Sequence, residues 1–158
     1  MSRLLLLCCF ALVFTSCGSS KKTTRHHTPT ATKTDRIISN AQTYTGTPYV
    51  FGGTTAKGMD CSGLIYTAFL KEEVQLPRVS RDMAKRGKPI SLKVVQKGDL
   101  IFFRTNKSSR QINHVGLVTT VTSGNIYFIH STSSRGVITS SLDEKYWATA
   151  FVQARRVL

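Results

Sequence analysis

Past the first sixteen residues, this 158-residue chain has no apolar run approaching the eighteen or so that a membrane-crossing helix needs. No Cys and His stand at the short spacings of a closed zinc site, so neither a metal nor any other cofactor is expected. No stretch repeats itself, which sets repeat architectures aside. Acids are scarce, with eight Asp and Glu against 22 Lys and Arg and a formal charge of +14. Such a surface attracts polyanions, yet no nucleic-acid-binding motif accompanies it, so nucleic acid is not the expected partner.

The N-terminus differs in kind from the rest. Arg3 and the amino group precede an eleven-residue apolar run, Leu4 to Phe14, too short for a stop-transfer helix and suited to the core of a signal peptide. It ends in Phe14-Thr15-Ser16-Cys17, and small residues before a cysteine resemble a bacterial lipobox. Residues 1–16 therefore read as a cleaved lipoprotein signal peptide and Cys17 as the lipidated first residue of the mature chain. Ser, Thr, Lys and His dominate from Gly18 to Lys33, too little apolar area to order a segment. Residues 17–33 are expected to form a flexible basic tether with an r.m.s. reach of about 20–25 Å. An exported, tethered protein meets acidic cell-wall peptides and anionic lipid head groups, and the positive charge suits either.

This reading leaves little cysteine. Cys8 and Cys9 depart with the signal and Cys17 carries lipid, so Cys61 stands alone in the folded part without a disulfide partner. It lies where a glycine-rich loop turns into a helix-period segment bearing Leu64, Ile65, Ala68 and Phe69. Asp60 is placed to cap that helix, which makes Cys61 its first residue. A thiol at a helix N-terminus is expected to be acidified, from about 8.5 to between roughly 3.5 and 7.5.

Along the remaining chain, Ile37, Ile38, Ala41 and Tyr44 predict an opening helix over residues 35–45, capped by Thr34 or Asp35. An extended, turn-rich approach follows, in which Tyr49 is either a core aromatic or a rim residue of the site. Leu76-Pro77-Arg78 breaks the chain after the Cys61 helix, and Ser80 starts a short helix ended by Gly87. Leu100 to Phe103 is a continuous apolar run and reads as a buried strand. Residues 114–121 and 125–130 predict a β-hairpin. A plain two-residue turn at Ser123-Gly124 would put His114 and His130 on opposite faces. A three-residue loop or a bulge sets His130 opposite Gly116 and brings the rings onto one face, with Gly116 leaving room for an imidazole. A strand from Gly136, a helical turn holding Tyr146 and Trp147 and a last strand from Phe151 complete an α+β domain over residues 34–158. Its sheet is expected to be largely antiparallel, with helices on one side.

One thiol and two nearby histidines supply a nucleophile site. Cys61 attacks a carbonyl, His114 takes and returns the proton, His130 orients His114, and the Cys61 backbone N–H meets the oxyanion. The blocks Gly46-Thr-Pro-Tyr-Val-Phe-Gly-Gly, Met59-Asp-Cys-Ser-Gly-Leu, Lys97-Gly-Asp-Leu-Ile-Phe-Phe, Asn113-His-Val-Gly-Leu and Phe128-Ile-His-Ser-Thr-Ser stand in an order that resembles the NlpC-type cell-wall cysteine peptidases. The resemblance implies a compact papain-like fold with its catalytic cysteine at a helix N-terminus. It also implies hydrolysis of amide bonds in peptidoglycan stem peptides, with Cys61, His114 and His130 as catalytic residues. Tyr49, Asp60 and Ser62 are implied as substrate contacts. Similarity favours D-alanyl–diaminopimelate cross-links as the bond cut, with the γ-D-glutamyl–diaminopimelate bond as the alternative. Acyl transfer on the same scaffold and a non-catalytic wall-binding lipoprotein are the other readings. The chain is expected to act as a monomer, lipid-anchored at the periplasmic side of the outer membrane.

Overall fold

A computed structural model describes residues 30–106 and 108–158. The expected signal peptide, Cys17 and most of the tether lie outside the described residues. The first helix, α1 (Lys33–Gln42), begins two residues before the periodicity suggests. The Thr32 hydroxyl accepts from the Asp35 N–H and the Asp35 carboxylate accepts from the Thr32 N–H, both at 3.1 Å. This capping box makes Asp35 the third helical residue rather than the cap.

After α1 come a two-stranded hairpin, β1 (Thr54–Thr55) and β2 (Gly58–Met59), and then α2 (Cys61–Leu70) and α3 (Ser80–Met83). The other strands are β3 (Lys88–Ile90), β4 (Leu100–Phe103), β5 (His114–Thr122), β6 (Asn125–Thr132), β7 (Gly136–Ser141) and β8 (Phe151–Arg156), with α4 (Lys145–Ala150) before the last. They form one six-stranded antiparallel sheet in the order β3-β8-β4-β5-β6-β7. Pro89 sits in β3, an edge strand, where a missing N–H is tolerated.

β4 explains its own sequence. Leu100 and Phe102 enter the core beneath α1 and α2, while Ile101 and Phe103 enter a second core with Val118, Phe128 and Trp147. A strand covered on both faces has no polar side to display, so its apolar run is unbroken. Each fully buried Phe contributes about 2–3 kcal/mol by area. The two long helices share one side of the sheet, as expected, and the short α4 lays Trp147 on the other. The Asp99 carboxylate, 2% exposed, is gripped by Nε and Nη2 of Arg156, each at 2.8 Å, which staples the start of β4 to the end of β8.

The β5–β6 hairpin solves the register problem by a bulge rather than a long loop. Thr122 pairs with Asn125 across a two-residue turn at Ser123-Gly124. The register shifts between Val118 and Thr120, so that Leu117 pairs with Ile129. Thr119 is the extra residue, and from there the strand continues with His130 beside Gly116. The space left by Gly116 is taken by Phe128 rather than an imidazole: a Cβ there would collide with the Phe128 ring.

Candidate active site

The nucleophile half is built at the start of α2. Asp60 is the N-cap in an extended conformation, its carboxylate accepting from the Gly63 N–H at 2.6 Å. The same carboxylate accepts from the Gly52 N–H at 2.8 Å, tying the glycine-rich loop to the helix end. Gly63 has to be glycine, because a Cβ would run into the Gly53 carbonyl of that loop. Arg78 closes the arrangement. Its two terminal nitrogens reach the two Asp60 oxygens at 2.9 and 2.8 Å, and Nη1 also donates to Ser62 Oγ at 2.9 Å. Burial alone would raise the Asp60 carboxyl, but the Arg78 and Gly63 hydrogen bonds outweigh it and hold the group below the usual carboxylate range. A fork-shaped guanidinium gripping a carboxylate with two bonds is a geometry lysine cannot reproduce.

Cys61 is 8% exposed and faces a cleft of about 420 Å³. Tyr49, Phe51, Asp60, Ser62, Arg78 and Asn113 are among its walls. Sγ lies 3.9 Å from the Asn113 carbonyl oxygen, its acceptor. The acidified thiol expected from the helix end is not what the structure gives. Burial pushes Cys61 up to about 11 and the Asp60 charge adds to this, while the N–H groups of Val115, Ser62 and Cys61 itself oppose it. At this site desolvation of the sulfur outweighs the helix end. Tyr49 is raised by burial and then by the Cys61 and Asp60 charges, as befits a phenol facing the same cleft.

The histidine half stands on β5 and β6. His114 Nε2 and His130 Nδ1 are 2.8 Å apart, and His130 Nε2 is 3.0 Å from Ser140 Oγ on β7. Trp147 fixes both rings, stacked on His114 at 5.2 Å and edge-on to His130 at 4.6 Å. Phe103 and Phe128 complete an aromatic enclosure. Burial therefore holds His114 down at about 4, and lowers His130 further with help from His114 and Arg135. Both rings are neutral at pH 7.

Neutral rings allow one proton arrangement suited to base catalysis. His114 carries its proton on Nε2 and donates to His130 Nδ1, and His130 carries its own on Nε2 and donates to Ser140. The remaining lone pair of His114 is then on Nδ1. The two halves meet along β5, since the Asn113 carbonyl and the Val115 N–H, on either side of His114, both contact the sulfur.

The structure thus gathers the expected residues into two neighbouring groups: Tyr49, Asp60, Cys61 and Ser62 around one cleft, and His114 with His130 beside it. Three participants were missed in the sequence. In the sequence Arg78 stands in a chain break, Ser140 in the strand that starts at Gly136, and Trp147 in a helical turn. The Arg78–Asp60 pairing spans a sequence separation of 18, which no local pattern encodes.

A cysteine opening a helix, set against a histidine pair at the end of an antiparallel sheet, defines a papain-like thiol hydrolase scaffold. The chain belongs to the NlpC/P60 family, whose model matches residues 46–156. It is 41% identical over 116 residues to the Probable endopeptidase NlpC homolog of Haemophilus influenzae, covering 73% of this chain and 58% of the relative. It is 38% identical over 124 residues to the Murein DD-endopeptidase MepS/Murein LD-carboxypeptidase of Escherichia coli, covering 78% and 62%. The chain therefore spans about three fifths of the length of these two relatives. Among solved structures, an NlpC/P60 family protein from Bacillus cereus superposes with a TM-score of 0.71 at 30% identity, covering 82% of this chain and 41% of that one.

Proposed function

We propose that this protein is a peptidoglycan endopeptidase that cuts amide bonds in stem peptides through Cys61, with D-alanyl–diaminopimelate cross-links as its main substrate. The observation that carries this reading is the pairing of a cleft-facing thiol with a histidine couple held at 2.8 Å beside it. His114 Nδ1 takes the thiol proton as Sγ attacks the amide carbonyl. The oxyanion is met by the Cys61 N–H at the helix end. His114 then returns the proton to the leaving amine, giving an acyl-thioester on Cys61, and repeats the exchange with water to release the acid. His130 holds the tautomer throughout, and Ser140 holds His130. Asp60, Ser62 and Tyr49 line the acyl side, where the Arg78 grip keeps the first two in place.

The murein-endopeptidase relatives and the basic surface support a wall substrate. Lipid anchoring at Cys17 and a place on the periplasmic side of the outer membrane complete the proposal, on the strength of the N-terminal pattern alone. The test is digestion of purified peptidoglycan by the full-length chain and by Cys61→Ala, with mass analysis of the released muropeptides. Wild type is expected to release cross-link cleavage products and Cys61→Ala none. Equal product from both ends the thiol mechanism, products cut at γ-D-glutamyl–diaminopimelate move the scissile bond, and tight wall binding with no product from either leaves a binding protein.

A further inference from the structure

Away from the catalytic residues, α3, the loop before β5 and the last strand enclose a groove of about 390 Å³. Arg81, Lys85, Arg110 and Arg155 line it, with Ile112 and Val152 among the apolar side chains between them. It shares no lining residue with the Cys61 cleft or with a cavity of about 290 Å³ beside His114. Among the described residues no carboxylate lines the groove. Of its four cations Lys85 alone joins a salt bridge there, with Asp82 at 2.9 Å.

Elsewhere in the domain guanidinium groups are engaged by carboxylates: Arg36 by Glu72, Arg78 by Asp60 and Arg156 by Asp99. In the groove they are held by neutral oxygens instead. Arg81 Nη1 donates to Gln111 Oε1 at 2.9 Å, and Arg155 donates to the Gly87 carbonyl and to Gln153 Oε1, each at 3.4 Å. Gln153 is itself fixed, donating to the Ala84 carbonyl at 3.0 Å. A neutral acceptor sets the direction of a guanidinium without cancelling its charge. Arg155 also has donating capacity to spare, since both of those bonds are long and its buried Nε has no partner among the described residues. Four cations less the one Asp82 leave three net positive charges facing a single groove. One guanidinium fork satisfies a carboxylate, whereas this excess, offered from several walls, suits an anion with more charge and at least three acceptor oxygens. We infer that the groove is a binding site for a phosphate group, carried by an anionic lipid headgroup or by a soluble phosphate. Ile112 and Val152 give the nonpolar remainder of a phosphate ester a surface to lie against. The site stands whether or not Cys61 is catalytic.

The test titrates the full-length chain with inorganic phosphate by calorimetry, beside acetate at equal ionic strength. Saturable binding of phosphate, and none of acetate, is expected. Arg81→Gln with Arg155→Gln is expected to weaken it about tenfold, since each partly solvated cation contributes modestly. Lys57→Gln with Lys93→Gln removes the same charge outside the groove and is expected to leave binding unchanged. Gln111→Glu, nearly isosteric and exposed, sets a carboxylate against Arg81 and is expected to weaken phosphate binding without removing any cation, which keeps a readout should the Arg variant fail to fold. No saturable binding, equal binding of acetate, equal losses in the two double variants, or an unchanged Gln111→Glu overturns the inference. Vesicles of phosphatidylcholine with and without phosphatidylglycerol then separate the sources, because a lipid anchor contributes to both alike. A gain on phosphatidylglycerol that Gln111→Glu loses assigns the site to lipid headgroups, and phosphate binding with no such gain assigns it to a soluble phosphate.

Discussion

On the Cys61 side of the site the polar groups are ionic and every charge is matched. Asp60 accepts from Gly52, Gly63 and both arms of Arg78. On the histidine side the two imidazoles are neutral, bonded to each other and to Ser140, and walled in by Trp147, Phe103 and Phe128. The first region holds charge by supplying partners, and the second prevents charge by removing water. The thiol sits at the boundary and takes its character from the dry side. The lesson is that proximity to a helix end does not by itself ionise a cysteine. In the mechanism proposed above, the proton leaves during attack, when His114 takes it, rather than beforehand.

The largest effect that sharpens this contrast is on stability in acid. His114 is held at about 4 in the folded state against about 6.5 when unfolded, so between those values the unfolded chain binds a proton that the folded one refuses. Its contribution is complete above pH 6.5 and is lost as pH falls toward 4, by at most about 3 kcal/mol. Urea midpoints at pH 7, 5.5 and 4.5 should decline in step, and a flat series would mean the rings are charged or solvated. Next is the thiol itself. With Cys61 near 11, its alkylation by iodoacetamide should quicken about a hundredfold from pH 7 to 9. A rate constant over that range would reveal a preformed thiolate–imidazolium pair and erase the distinction between the two regions.

The ionic side can be broken separately. Arg78→Gln leaves Asp60 in place without its counter-charge, and with Arg78 about one third exposed the cost is about 2 kcal/mol rather than that of a fully buried pair. Thermal melting reads it, and a change within error would show that Gly52 and Gly63 satisfy Asp60 unaided. The smallest effect is expected from His130→Asn, which keeps an acceptor near His114 Nε2 but loses the Trp147 contact. A fall in kcat of about tenfold with KM unchanged fits an orienting role. Total loss would give His130 a more direct part.

Much of this was legible beforehand. β4 announces burial on both faces, Asp60-Cys61-Ser62-Gly63 announces a capped helix start, and the need for His114 and His130 to share a face demanded an irregular hairpin. The sequence does not say how the hairpin complies, because a bulge at Thr119 and a longer loop give the same register. The start of α1 was placed late because its cap, Thr32, lies within a stretch whose composition reads as tether. Arg78, Ser140 and Trp147 stayed hidden for a shared reason: each acts on a residue brought close only by the fold. The thiol departs from expectation because a helix end is visible in a string of residues, whereas the water lost around a sulfur is not.

The contacts to the sulfur at β5 come from the peptide backbone of Asn113 and Val115. The spacing between the proposed nucleophile and its proposed base is thereby written into the course of the polypeptide and owes little to which side chains furnish the cavities on either flank. Those flanking walls are free to diverge, by selection or in the laboratory, and to accept new peptides while the reaction they serve stays the same.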